Sequence, residues 1–181
     1  MLEIFDECWI DEWYESKKQK EEYKKKGKDI IKEFHQKHTG NWPQAQYLEK
    51  GFAIKLKSDQ DVFTVRGNID RVDTVKQDTV KLVDYKTGKP KEKLDFKDKE
   101  QLLIYQIAIE EVFGLKADSL AFYYLENNSE MEFLGSDEDL DKLKHKMINT
   151  ILDIRKGEFL PKPGPLCKFC DFFDICDYRK S

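Results

Sequence analysis

The 181-residue chain has no apolar run approaching the ~18 residues of a membrane-spanning helix, and no signal peptide opens it. That predicts a cytoplasmic protein with no membrane partner. Positive charge is not in surplus either. Lys and Arg number 32 against 36 Asp and Glu, a formal net charge of −4. Overall charge therefore does not announce nucleic-acid binding, and phosphates would have to meet a local basic face or a metal in an acidic site. Internal repeats and low-complexity linkers are also missing. Cysteines are few, and three of the four crowd the C-terminus. That distribution suits a metal or cluster site better than a disulfide framework.

What is present suits one globular domain, with 39% hydrophobic residues and 38% charged ones. Residues 3 to 37 read as helix, with a break expected near Gly27 and an apolar stripe of Ile4, Phe5, Trp9 and Trp13. Seven lysines between Lys17 and Lys28, laced with Glu21 and Glu22, read as a solvated face; a phosphate-contacting rim is the sharper alternative. His35 and His38, three apart, could share a metal but read more simply as surface.

Strands follow. Tyr47 to Lys57 alternates Phe52, Ile54 and Leu56 with polar or small residues, the period of a half-buried strand. Ser58-Asp59-Gln60 turns it into a second strand, from Val62 to Asp70. Lys76-Gln77-Asp78 turns that into a third, Thr79 to Asp84. An antiparallel hairpin of these last two brings Asp70 near Asp84 and Lys86. Two carboxylates and a lysine converging at a sheet edge make a magnesium site with a cation beside it.

A lysine-rich loop leads to a helix from about Lys99 to Phe113, stopped by Gly114 and held to the sheet by Leu103, Ile107 and Val112. Gln101 and Tyr105 share one face of it. Leu120 to Leu125 reads as a buried strand and Glu130 to Leu134 as its neighbour, turned at Asn127-Asn128. Ser136 caps a last helix reaching Lys156, with Leu140, Leu143, Met147, Ile151 and Leu152 as its stripe. This order predicts an α/β fold, a central mixed sheet flanked by helices.

Gly67-Asn68-Ile69-Asp70-Arg71-Val72-Asp73, then Asp84-Tyr85-Lys86-Thr87-Gly88, then Gln101-Leu102-Leu103-Ile104-Tyr105, resembles the RecB-like branch of the PD-(D/E)xK nucleases. The likeness is greatest to nuclease domains at the C-terminus of UvrD-like helicases and AddB-like subunits. It implies a restriction-endonuclease-like core and a Mg2+- or Mn2+-dependent deoxyribonuclease of repair or recombination, with a helicase domain or subunit as partner. It implies that Asp70, Asp84 and the Tyr85 carbonyl hold the metal, and that Lys86 orients the attacking water. Gln101 and Tyr105 would touch DNA or metal-bound water. Arg71 and Asp73 would form a structural ion pair or support Asp70. A catalytically silent DNA-binding or docking module is the alternative.

Cys167, Cys170 and Cys176, spaced C-x2-C-x5-C, resemble the iron–sulfur end of AddB-like and CRISPR-associated nucleases, implying three corners of a [4Fe–4S] cluster. Zinc also takes thiolates at such spacing. The chain departs from the family at its start: the helix with the first cluster cysteine and the G-x-x-x-H are missing. Cys8 is a fourth cysteine by count, not by position, and reads as a small buried side chain. The expectation is therefore a single domain over 1–181, short of the family's first helix, with a cysteine-bearing segment at 158–181. It would be a piece of a larger helicase–nuclease, metal-free at that segment unless Cys8 reaches it.

Overall fold

A computed structural model describes residues 1–58 and 61–179. The chain divides into two compact units, Met1–His145 and Lys146–Ser181.

The first unit opens with α1 (Leu2–Cys8) and α2 (Lys17–His38). The break lies between them and not at Gly27, which sits inside α2. The reason is steric: a Cβ on Gly27 would come 2.8 Å from Phe5 Cζ, so the glycine makes room for α1 to dock. The expected stripe dissolves accordingly. Ile4 and Cys8 are exposed and Trp13, at φ 75°, lies outside any helix, while Trp9 stacks on Tyr14 with ring centres 5.7 Å apart. Of the seven lysines, Lys20 pairs with Asp11, Lys24 and Lys28 with Asp6, and Lys26 with Glu126, at 2.5 to 3.0 Å. The face is laced with acids. His35 and His38 both pack against the Trp42 ring, and burial lowers the pKa of His38.

β1 (Ala45–Lys57), β2 (Val62–Lys76) and β3 (Thr79–Lys86) form an antiparallel meander. The expected turn at Ser58-Asp59-Gln60 lies partly outside the described residues; Asp78, at φ 60°, makes the second turn. The chain then crosses over through α3 (Phe96–Phe113) to β4 (Lys116–Tyr124), parallel to β3, and β5 (Ser129–Phe133) returns antiparallel. The sheet is mixed, in the order β1-β2-β3-β4-β5.

Helix α3 begins in an Asp95–Asp98 capping box and ends at Gly114 in the left-handed region, φ 67°. It buries Leu103 and Ile107, whereas Val112 stays exposed where α3 borders an open cavity beside β1 and β2. The two sheet faces separate cleanly along β3 and β4. Val83, Ala121 and Tyr123 pack against Phe34 of α2, while Asp84 and Lys86 lie on the face that meets α3 through Gln101. Helix α4 (Asp137–Lys156), capped by Ser136 Oγ on the Asp139 N–H at 3.2 Å, begins in this unit and buries Leu140 and Leu143. Beyond these the expected stripe thins, and Leu152 is exposed.

The second unit carries the rest of α4 and two 3-10 turns, Pro165–Phe169 and Phe173–Ile175. Phe159, Leu160, Leu166, Phe169, Phe172, Ile175 and Tyr178 are exposed there.

Candidate active site

The site grows from the β2–β3 register. Arg71 pairs with Val83 and Val72 with Leu82, so Asp70 stands one step on, opposite Asp84. The backbone N–H of Tyr85 donates to Asp70 Oδ2 at 3.0 Å. Asp84 is 2% exposed and Lys86 Nζ lies 2.6 Å from its Oδ2. Helix α3 closes the group: Lys86 Nζ donates to Gln101 Oε1 at 2.8 Å, and Gln101 Nε2 donates to the Tyr105 hydroxyl at 2.9 Å. Gln101 and Tyr105 are one helical turn apart, which is why one face presents both.

Charge accounts for the protonation tendencies. Burial raises the Asp84 carboxyl above the usual carboxylate range; the Lys86 ammonium opposes this and the Asp70 charge adds to it. Burial likewise raises Tyr105, the Gln101 hydrogen bond opposes, and the charges of Asp84, Asp70 and Glu49 push further. The donor set fits a hard divalent cation. Two carboxylates are adjacent, and the buried Asp84 Oδ2 is met by the Lys86 ammonium at 2.6 Å, the place a cation would take. Mg2+ commonly takes one or two carboxylates and keeps waters elsewhere. Among the described residues no three His, Cys, Asp or Glu gather into a group that could hold a metal.

Arg71 and Asp73 lie behind this group. Arg71 Nε sits 3.0 Å from Asp73 Oδ1, both residues are buried, and the Arg71 guanidinium donates to the Tyr85 hydroxyl. Burial raises the Asp73 carboxyl, which Arg71 opposes.

Glu49 is the acid the sequence reading passed over. Leu48 pairs with Arg71 and Lys50 with Ile69, so Glu49 lies level with Asp70 in the β1–β2 ladder, at a left-handed φ of 47°, and its charge acts on Tyr105. Strand pairing is invisible in alternation alone; counting register back from the β1–β2 turn would have found it.

In the second unit the thiols are not gathered for a cluster. Cys167 Sγ accepts the Gly164 N–H at 3.2 Å, and Cys170 is exposed. Cys8 is exposed too, not the buried side chain expected.

A five-stranded mixed sheet between helices, with an acid pair and a lysine at adjacent strand ends, defines a restriction-endonuclease-like α/β domain. The chain belongs to the PD-(D/E)XK nuclease superfamily, whose sequence profile matches residues 1–177. Among solved structures it is similar to SSO0001, at TM-score 0.51 and 20% identity over 86% of this chain and 70% of that one. A Eubacterium rectale protein named as a candidate exonuclease matches at TM-score 0.49 and 15% identity, over 87% of this chain and 62% of that one. No curated protein matches the chain.

Proposed function

We propose that the chain is a RecB-like nuclease domain that hydrolyses phosphodiester bonds in DNA with Mg2+ or Mn2+. Its setting is cytoplasmic repair or recombination, alongside a helicase domain or subunit. The observation that carries this reading is the line Asp84–Lys86–Gln101–Tyr105, joined by contacts of 2.6, 2.8 and 2.9 Å, with Asp70 tied to the backbone beside it. In this role Asp70, Asp84 and the Tyr85 carbonyl hold the cation, whose chemistry is to polarise the scissile phosphate and lower the pKa of water. Lys86 orients the attacking water and offsets charge building on the phosphate. Gln101 holds Lys86 in that position, and Tyr105 holds Gln101.

A second reading, a silent DNA-binding or docking module, is favoured by one observation: Lys86 Nζ already stands at the carboxylate a cation would use. Cleavage of single- and double-stranded DNA with Mn2+ or Mg2+, by the native protein and Asp84→Asn, separates the two. Metal-dependent cleavage lost in the variant supports the nuclease. DNA binding without cleavage, equal in both proteins, supports the module.

A further inference from the structure

The two acids stand on different strands, and the ladder between those strands stops short of them. β2 and β3 pair from Lys76 and Thr79 to Arg71 and Val83, one residue before Asp84. On its other side β3 stays in register with β4 through Asp84, Tyr85 and Lys86. The Lys86 carbonyl accepts the Leu125 N–H there at 2.9 Å. A cation shared by Asp70 and Asp84 must therefore bridge a gap that strand pairing does not set.

Among the described residues two side-chain bonds cross that gap, and both end on Tyr85. In front, its N–H donates to Asp70 Oδ2 at 3.0 Å. In a strand the N–H and C=O of one residue point to the same side, so the Tyr85 carbonyl also turns toward β2. Behind, the Tyr85 hydroxyl accepts from the Arg71 guanidinium.

The rear bond is held firmly at both ends. Arg71 Nε lies 3.0 Å from Asp73 Oδ1, and both residues are buried. The Tyr85 ring packs against the cluster of Val83, Ala121 and Tyr123, standing edge-on to Tyr123 with centres 5.7 Å apart. Asp73 supplies the charge that Arg71 needs. The hydroxyl supplies none, yet it fastens the end of β3 to β2.

We propose that the Arg71–Tyr85 hydroxyl bond is the strut that sets the spacing of Asp70 and Asp84, which makes Tyr85 a positioning residue for the cation from the opposite face of the sheet. The proposal rests on the nuclease reading above and adds what tunes its metal. Mg2+ demands near-ideal geometry at about 2.0–2.1 Å, whereas Ca2+ accepts flexible geometry at about 2.3–2.6 Å. A loosened gap should therefore penalise Mg2+ more than Ca2+.

The test is calorimetric titration of the full chain with MgCl2 and with CaCl2, in the absence of DNA. Tyr85→Phe removes the hydroxyl and keeps the ring. It should weaken Mg2+ binding about 10- to 100-fold, the range for a residue that supports a metal ligand, and Ca2+ binding clearly less. Arg71→Lys keeps the charge beside Asp73 without the guanidinium fork. It should lose as much, and the double variant no more than either alone.

Unchanged Mg2+ affinity in folded Tyr85→Phe would overturn the proposal. Equal losses of Mg2+ and Ca2+ would do the same, as would losses that multiply in the double variant. Asp84→Asn tells the two readings apart. Mg2+ binding that needs Asp84 but ignores Tyr85→Phe removes the strut alone. A native protein that binds no Mg2+, or binds it independently of Asp84, removes the nuclease reading and the strut with it.

Discussion

The Tyr85 backbone N–H holds Asp70 Oδ2 at 3.0 Å, so the middle residue of one motif positions the acid of the other. Tyr85 also reaches the opposite face, where its hydroxyl accepts from Arg71. One residue thus ties the acid pair to the buried Arg71–Asp73 pair behind the sheet.

Asp70 therefore has two separable contributions. Asp70→Asn keeps an oxygen for the Tyr85 N–H and removes only the charge. Metal-dependent cleavage should fall by about 100-fold or more while the melting temperature barely moves. Asp70→Ala should lose cleavage to the same extent and, in addition, about 1 kcal/mol of stability from the lost hydrogen bond. Parallel cleavage assays and urea titrations check both.

Asp84 should be a stability cost when no cation is present. Its folded pKa is raised by burial, so the folded state holds the proton more tightly than the unfolded chain. That stability is complete at low pH and is lost as pH rises through the raised value. In chelator at neutral pH, Asp84→Asn should melt higher than the native protein, by about 2–4 °C for each kcal/mol relieved, and the difference should vanish in acid. Added Mn2+ should raise the melting temperature of the native protein only, since binding stabilises by mass action.

Much of the sheet was legible in the chain because alternation and turn residues act locally. Phe52, Ile54 and Leu56 mark β1, and the apolar run to Tyr124 marks a strand covered on both faces. Gly114 and Ser136 mark helix ends by their backbone chemistry. What stayed hidden depends on partners distant in sequence. Gly27 looked like a breaker because Phe5, which needs its missing Cβ, is 22 residues away. Glu49 looked like an ordinary strand residue because its place opposite Asp70 is a matter of register. Val112 and Cys8 matched apolar patterns yet stay exposed, because no distant partner covers them among the described residues.

The glycine that opens the first motif has a packing role. A Cβ on Gly67 would come 2.7 Å from Phe52 Cζ, and the Phe52 ring stands edge-on to Tyr105 with centres 6.0 Å apart. Gly67→Ala should cost about 1–3 kcal/mol through overpacking. Because the displaced Phe52 ring borders Tyr105, cleavage should drop further than that loss explains; paired thermal melts and cleavage rates at low temperature would show it.

The pair behind the sheet should be strongly coupled. Arg71 and Asp73 are 4% and 7% exposed. Removing one leaves the other buried and charged, so Arg71→Ala or Asp73→Ala should each cost about 3–5 kcal/mol, and the double variant less than the sum. Guanidinium titrations of the four proteins measure the coupling.

The three C-terminal cysteines should leave the isolated chain without a metal. Among the described residues their thiols do not gather into a ligand group. Protein purified without oxygen should contain neither stoichiometric iron nor sulfide, and should show no charge-transfer band in the visible. A cluster that disappears in Cys8→Ala would instead make Cys8 its fourth ligand.

Along β3 and β4 chemistry and anchorage are sorted by parity. Asp84, Lys86, Phe122 and Tyr124 carry even numbers and turn one way, while Val83, Tyr85, Ala121 and Tyr123 carry odd numbers and turn the other. A strand therefore has something like a two-letter reading frame. Losing one residue within β3 ahead of Val83 would send the acid and the lysine toward α2 and bring apolar side chains to the working face. Losing two would restore the assignment at the cost of length. The lysine-bearing loop after Gly88 has no such frame, so changes in its length would alter the reach of Lys89 and Lys91 without inverting anything. Variation in related chains should then be punctuated: free in the loop, and only by even steps in the strands it joins.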